Sequence, residues 1–322
     1  MKKLFAALIT LFMLYSSFAE EPETLTEGQF SYTLTDEGAV ITKYLPPEVL
    51  PDVVEIPAVI GGHPVVDFGY VFSGILAEDV HQVILAEGIF TLGNAFSECS
   101  EINEIVLPAS LTIIPEDSFR WSIAEIIIHP DNPYFTDKDG FLIDTRSNTL
   151  LYTAPSAADK PLPAVTRLGD NCLERWHAGE HVDLPDTLTS IGACVFYDCV
   201  DVTSISIPDS VTEIGASAFN CTSLTEIQLP PGLTSIPTMM LSCNYITEIT
   251  IPESVRYIGE WAFYLCPLMR VEIPAGCEFI AYDAFDPEVE LVLLGDSTHL
   301  ETFEEYAERN EEPWLLENDW DE

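Results

Sequence analysis

Apolar and polar positions along this chain follow a 22-residue beat. Residues 205–226 read ISIPDSVTEIGASAFNCTSLTE, 227–248 read IQLPPGLTSIPTMMLSCNYITE and 249–270 read ITIPESVRYIGEWAFYLCPLMR. Each copy opens on an apolar-x-apolar-Pro segment, where alternation predicts a short strand with one face buried. The same segment recurs at Glu55-Ile56-Pro57, Val106-Leu107-Pro108, Asp183-Leu184-Pro185 and Glu272-Ile273-Pro274, and with Ala86 for proline after Val83-Ile84-Leu85. Proline ends the strand and turns the chain with φ already fixed. A Leu/Val-x-x-Ile step follows, then Gly, then Ala-Phe, as in Ile214-Gly215-Ala216-Ser217-Ala218-Phe219. The phenylalanine is predicted to fill the far side of each coil, the small residue before it to let coils approach, and the glycine to supply a bend.

A fixed period of this size marks a leucine-rich-repeat solenoid, whose units bury their apolar faces only against their neighbours. The expected fold is β-rich: a right-handed coil with a parallel concave sheet and short helices or turns on the convex side. The pattern places repeats at 83–128 and 168–290. Between them, at 129–167, Phe141-Leu142-Ile143 and Leu150-Leu151-Tyr152 flank a polar turn and predict an inserted β-hairpin. Residues 20–82 hold alternating stretches and a Gly61-Gly62 turn, and read as a β cap with the first repeat. Residues 291–322 read as a second cap with an acidic tail. Leu300, Phe303, Tyr306 and Ala307 have helical spacing, which predicts a short closing helix over 299–310. Residues 1–19 carry Lys2 and Lys3, an apolar run and a Ser17-Phe18-Ala19 cleavage pattern, and so read as a signal peptide.

The charge narrows the partners. The chain carries 54 acidic and 12 basic side chains, a formal −42. Loss of the two leader lysines makes it more negative by two. Such a surface repels nucleic acid and anionic lipid. No second long apolar run predicts a membrane span, and neither a lipid-attachment cysteine nor a sorting tail is evident. A secreted, extracellular or envelope location and a monomer are expected.

These segments resemble the BspA-like leucine-rich-repeat family of bacterial secreted and surface proteins over roughly residues 28–310. The resemblance rests on the opening VVEIPAVIGGHPV, the repeat body, the Asn132-Pro133…Asp139-Gly140 insertion and the YAERN ending at Tyr306 to Asn310. It implies a non-catalytic interaction or adhesion module with no catalytic residues and no cofactor.

Candidate chemistry is sparse. Cys199, Cys221, Cys243 and Cys266 are spaced by 22, 22 and 23 residues and are expected to stack in one buried slot as free thiols, a slot that Trp176 also takes. Cys172 and Cys194 are the expected pair if any disulfide forms, and Cys277 reads as core. No zinc spacing occurs. Asp137-Lys138-Asp139-Gly140 fails as a calcium loop, because Phe135 and Arg146 would fall at its first and twelfth positions. His177 and His181 read as structural or surface residues.

Strand register predicts two outward columns on the concave sheet: Glu104, Glu125, His181, Ser204, Glu226, Glu248 and Arg270, and beside them Val106, Ile127, Asp183, Ser206, Gln228, Thr250 and Glu272. Glu104, Glu125, His181, Asp183, Glu226, Gln228, Glu248, Thr250, Arg270 and Glu272 form the candidate binding face. They lack the aromatic ladder a glycan groove would need and favour a protein partner, a host or bacterial surface protein with a basic patch. A structural spacer of the bacterial envelope with no dedicated ligand is the other reading.

Overall fold

The structure is a computed structural model that describes residues 23–48, 51–72, 80–158, 160–177, 179–296, 298–302 and 305. The predicted signal peptide, most of the 299–310 helix and the acidic end lie outside these residues.

The described chain is a β-solenoid. On its concave side Val53–Ile56, Gln82–Leu85, Glu104–Leu107 and Glu125–Ile128 form a parallel four-stranded sheet. His181–Asp183 pairs with Ser204–Ser206 further along, and Arg270–Ile273 with Glu290–Leu293. A second ladder is built by the Ile-Gly step: Arg167–Leu168, Ser190–Ile191 and Glu213–Ile214, then Ser235–Ile236, Tyr257–Ile258, Phe279–Ile280 and His299–Leu300. His299–Leu300 is therefore a strand, not the start of a helix, because it completes this ladder on Phe279–Ile280. The convex side consists of turns. Two 3₁₀ segments, Glu116–Phe119 and Pro155–Ala157, are present among the described residues.

The coil interior holds an aromatic spine. Phe72, Phe96, Phe119 and Tyr152 follow one another at 5.4, 6.1 and 5.1 Å between ring centroids. Phe196 stacks on Phe219 at 5.7 Å and Phe263 on Phe285 at 4.8 Å, with Met240 buried between the two pairs. Ala95, Ala218 and Ala262 are completely buried.

Gly93 takes the left-handed bend, with φ of 56°, but in the later coils glycine serves a different purpose. No left-handed φ occurs at Gly192, Gly215 or Gly259. A Cβ on Gly215 would instead lie 2.4 Å from the Ala193 amide nitrogen and 2.5 Å from the Gly192 carbonyl carbon. Only a bare backbone fits between coils there. The Gly215 amide uses this proximity to donate to the Ile191 carbonyl at 2.8 Å, as Gly192 does to Leu168 and Gly259 to Ile236.

The segment expected as a simple hairpin is three strands, Phe135–Lys138, Phe141–Asp144 and Thr149–Thr153, paired antiparallel. Thr149–Thr153 then pairs parallel with Arg167–Leu168. Both faces of the inner two strands are covered. Phe141, Ile143 and Leu150 belong to the C-terminal core, while Leu142, Leu151 and Tyr152 belong to the N-terminal one. These strands wall off two hydrophobic cores, which is why their apolar runs are continuous rather than alternating. Side chains re-join the coils across the wall. Arg167 donates to Glu116 at 2.5 Å, the Asp170 amide donates to the same carboxylate, and Asn171 reaches Asp117 at 2.7 Å. Burial alone would raise the pKa of Glu116, but these donors outweigh it and hold the carboxyl below its usual range.

Candidate binding surface

The concave face is not uniform. Near the insertion its acids already have partners. Gln82 donates to Glu104, and Glu125 accepts from the Ser156 amide at 2.9 Å and its hydroxyl at 2.7 Å. Glu125 therefore caps the Pro155–Ala157 turn rather than standing free on the face.

In the next stretch His181 lies between serines and an acid. Its Nδ1 is 2.7 Å from the Ser204 hydroxyl, and its Nε2 is 3.0 Å from Asp183 and 3.3 Å from the Ser206 hydroxyl. Acyl-transfer sites use the same residue types. Here the imidazole is 51% exposed and Asp183 80% exposed, so water screens any charge that develops. The trio reads as a polar network across two paired strands.

The third stretch is open. Segments 226–229 and 248–251 repeat the strand sequence, yet make no ladder hydrogen bonds among the described residues. The predicted strands at Gln228-Leu229-Pro230 and Thr250-Ile251-Pro252 are thus extended segments rather than sheet. The inward-facing Ile227 and Ile249 are only half-buried, whereas Ile105, Ile126, Ile205 and Val271 at the same step are buried. Three sequence features account for this loosening. Pro237, like Pro115 earlier, stands where Gly192, Gly215 and Gly259 do in their coils and has no amide to donate to Ile214, so the second ladder breaks between Glu213–Ile214 and Ser235–Ile236. Gly232 stands where Ser210 and Ser254 each bond the preceding coil at 2.6 Å. Glu226 and Glu248 occupy one column in neighbouring coils, about 5 Å apart at ordinary strand spacing, where like charges repel.

The result is a groove of about 1260 Å³. Its walls include Glu226, Gln228, Glu248, Thr250, Arg270 and Glu272, six of the ten residues predicted from register. Glu104, Glu125, His181 and Asp183 lie on other stretches of the face. Arg270, the one Lys or Arg among the ten, is occupied by Glu272 at 3.1 Å and Glu290 at 3.8 Å. Met269, 76% exposed, and Leu294 add an apolar margin that register arguments missed, because both lie just outside the strand positions. Pro231-Gly232 and Pro237 were the sequence signals for an opening here.

The cysteines divide differently from their linear spacing. Asp198, Cys221, Cys243 and Leu265 share one left-handed position, with φ of 60°, 56°, 62° and 58°. Cys199 and Cys266 sit one residue later, buried, beside Thr222 and Asn244 in the same slot. The single cysteine column is therefore two. Paired strands show why: Ile191 faces Ile214 and Val182 faces Ile205, so that coil is 23 residues long. Burial pushes the Cys199 and Cys266 thiols up to about 12. Cys172 is buried and Cys194 packs toward Ser217, so the expected pair is not brought together.

Residues 70–141 and 166–291, more than half of the chain, match the sequence profile of the BspA type leucine rich repeat region in six copies. The chain belongs to the BspA-type leucine-rich-repeat family. Solved structures carry a similar coil. A leucine-rich cell surface protein from Faecalibacterium prausnitzii is 19% identical, with 86% of this chain and 96% of that one covered and a TM-score of 0.50. The pneumococcal vaccine antigen PcpA is 14% identical, over 88% and 89% of the two chains, with a TM-score of 0.49. A leucine-rich repeat protein from Eubacterium ventriosum is 15% identical over 83% and 95%, with a TM-score of 0.47. The likeness to the Faecalibacterium protein is one of fold. No curated protein matches this BspA-type chain. No helix among the described residues is long and apolar enough to cross a membrane.

Proposed function

We propose that this BspA-type protein is a non-catalytic interaction or adhesion module, exported to the cell surface or beyond, that holds a protein partner on its concave face. The observation that carries this reading is the opened groove at 226–272, with exposed Glu226, Glu248 and Glu272 beside Met269. Glu272 is held by Arg270, but Glu226 and Glu248 have no ion pair among the described residues and select a basic patch, while the exposed Met269 supplies apolar area for contact. The repeat family and the surface-protein relatives support the class of function. The groove supports its place.

The test is a binding array of host matrix and bacterial surface proteins probed with the wild-type chain and with Glu226→Gln/Glu248→Gln/Glu272→Gln. Saturable, salt-sensitive binding that weakens about tenfold in the variant is expected, since three rim charges contribute roughly 0.2–1 kcal/mol each. Binding unchanged by the triple substitution refutes the groove. No saturable binding to any probe favours a structural role in the envelope.

A further inference from the structure

We infer that Cys221 and Cys243 are the site of a coil-to-coil disulfide that clasps the convex side of the opened joint. The two residues occupy equivalent left-handed positions in adjacent coils. Their backbones are held in register: the Cys221 amide donates to the Ser242 carbonyl at 3.0 Å, and the Cys243 amide to the Tyr264 carbonyl at 2.8 Å. Adjacent coils stand about 5 Å apart, within the Cα separation that a disulfide spans. Burial first, and then the neighbouring Cys243 thiol, push Cys221 up to about 11. Both are half-buried and so reachable, whereas Cys99, Cys172, Cys199, Cys266 and Cys277 are buried. Cys194, also half-buried, has Ser217 at the matching place in the next coil.

The position gives the bond a purpose. Cys221 and Cys243 flank the joint at which Pro237 interrupts the second ladder and Gly232 lacks the serine hydroxyl. Backbone bonds still join these coils across the convex turns, Ser217 to Thr238 at 3.0 Å and Phe219 to Met240 at 3.0 Å, and once more from Tyr245 to Leu224 at 2.9 Å. A covalent link there fixes the hinge line about which the concave groove opens. In the reduced form Cys221 donates weakly to Asn220 Oδ1 at 2.8 Å, a contact the bond would replace.

The oxidant is a disulfide of low molecular mass or of a protein oxidase, as found in oxidising compartments. One cysteine thiolate attacks the oxidant's disulfide and forms a mixed disulfide, releasing one half as a thiol. The second cysteine attacks the protein sulfur of that mixed disulfide and expels the other half. The protein gives up two electrons and two protons, and the oxidant's disulfide becomes two thiols.

Purified full-length chain incubated with oxidised glutathione tests this without regard to where the protein resides. Alkylation in denaturant should count two thiols fewer than the eight of the reduced chain. Intact mass should fall by two hydrogen atoms, and peptide mapping should join Cys221 to Cys243. After oxidation, Cys221→Ser and Cys243→Ser should each carry a glutathione on the remaining partner cysteine; reductant should then lower the melting temperature of the wild type but not of either variant. Eight free thiols after oxidation, a stable glutathione adduct on Cys221 or Cys243 of the wild type, or a link through Cys172 or Cys194 overturns the inference.

Discussion

Replacing Gly215 by alanine isolates the force that holds the coils together. The added Cβ would lie 2.4, 2.5 and 2.7 Å from the Ala193 nitrogen, the Gly192 carbonyl carbon and the Ala193 Cα. All three are backbone atoms, so no side chain can rotate away, and the coils must part by about 1 Å to reach ordinary contact distance. Overpacking of this kind costs about 1–3 kcal/mol. Stretching the Gly215-to-Ile191 bond, now 2.8 Å, removes up to about 1 kcal/mol more. Loss of glycine's freedom in the unfolded chain returns roughly 0.4–1 kcal/mol. The net expectation is a loss of about 2 kcal/mol, read as a lower midpoint in urea followed by circular dichroism and tryptophan fluorescence. Gly232→Ala is the control, since its nearest neighbour is the movable Thr212 methyl at 3.1 Å. A Gly215→Ala midpoint within about 0.5 kcal/mol of wild type would refute the close-approach account.

Other consequences are as direct. Gly232→Ser restores the hydroxyl that Ser210 and Ser254 use and should stabilise the chain by about 0.5–1.5 kcal/mol, with slower amide exchange at 226–236 as the readout. Tyr152→Phe removes the buried hydroxyl that lies 3.1 Å from the Ser122 carbonyl and 3.0 Å from that of Ala124, and should cost about 1–2 kcal/mol in the same urea titration. Glu116 has a lowered folded pKa, so its contribution is present above the ordinary carboxylate value of about 4.3 and is lost as pH falls through the folded value. Wild type minus Glu116→Gln stability should therefore shrink below about pH 4.3, by no more than about 1 kcal/mol for this partly exposed pair.

The repeat was legible because each coil states the same physical requirement in the same place. Proline closes the strand, glycine admits the next backbone, and phenylalanine fills the interior. Register also found the outward positions, since a parallel sheet fixes every second residue. Three things were not legible. The cysteine columns depended on one coil being 23 residues long, a single insertion that leaves linear spacings nearly constant. The buried wall at Phe141–Thr153 read as an inserted two-stranded hairpin because continuous apolar runs fit either a two-faced strand or a hairpin. Unpaired segments at 226–229 and 248–251 still carry strand sequences. Their opening comes from what neighbouring positions lack: an amide at Pro237 and a hydroxyl at Gly232.

The acidic groove is proposed here as a protein-binding site. Its most direct test is the affinity of a partner found on the array, measured by calorimetry at low and physiological salt against wild type and Glu226→Gln/Glu248→Gln/Glu272→Gln. The account predicts saturable binding that weakens about tenfold in the variant, with a flatter salt dependence. Equal affinity and equal salt dependence for the two proteins would contradict it.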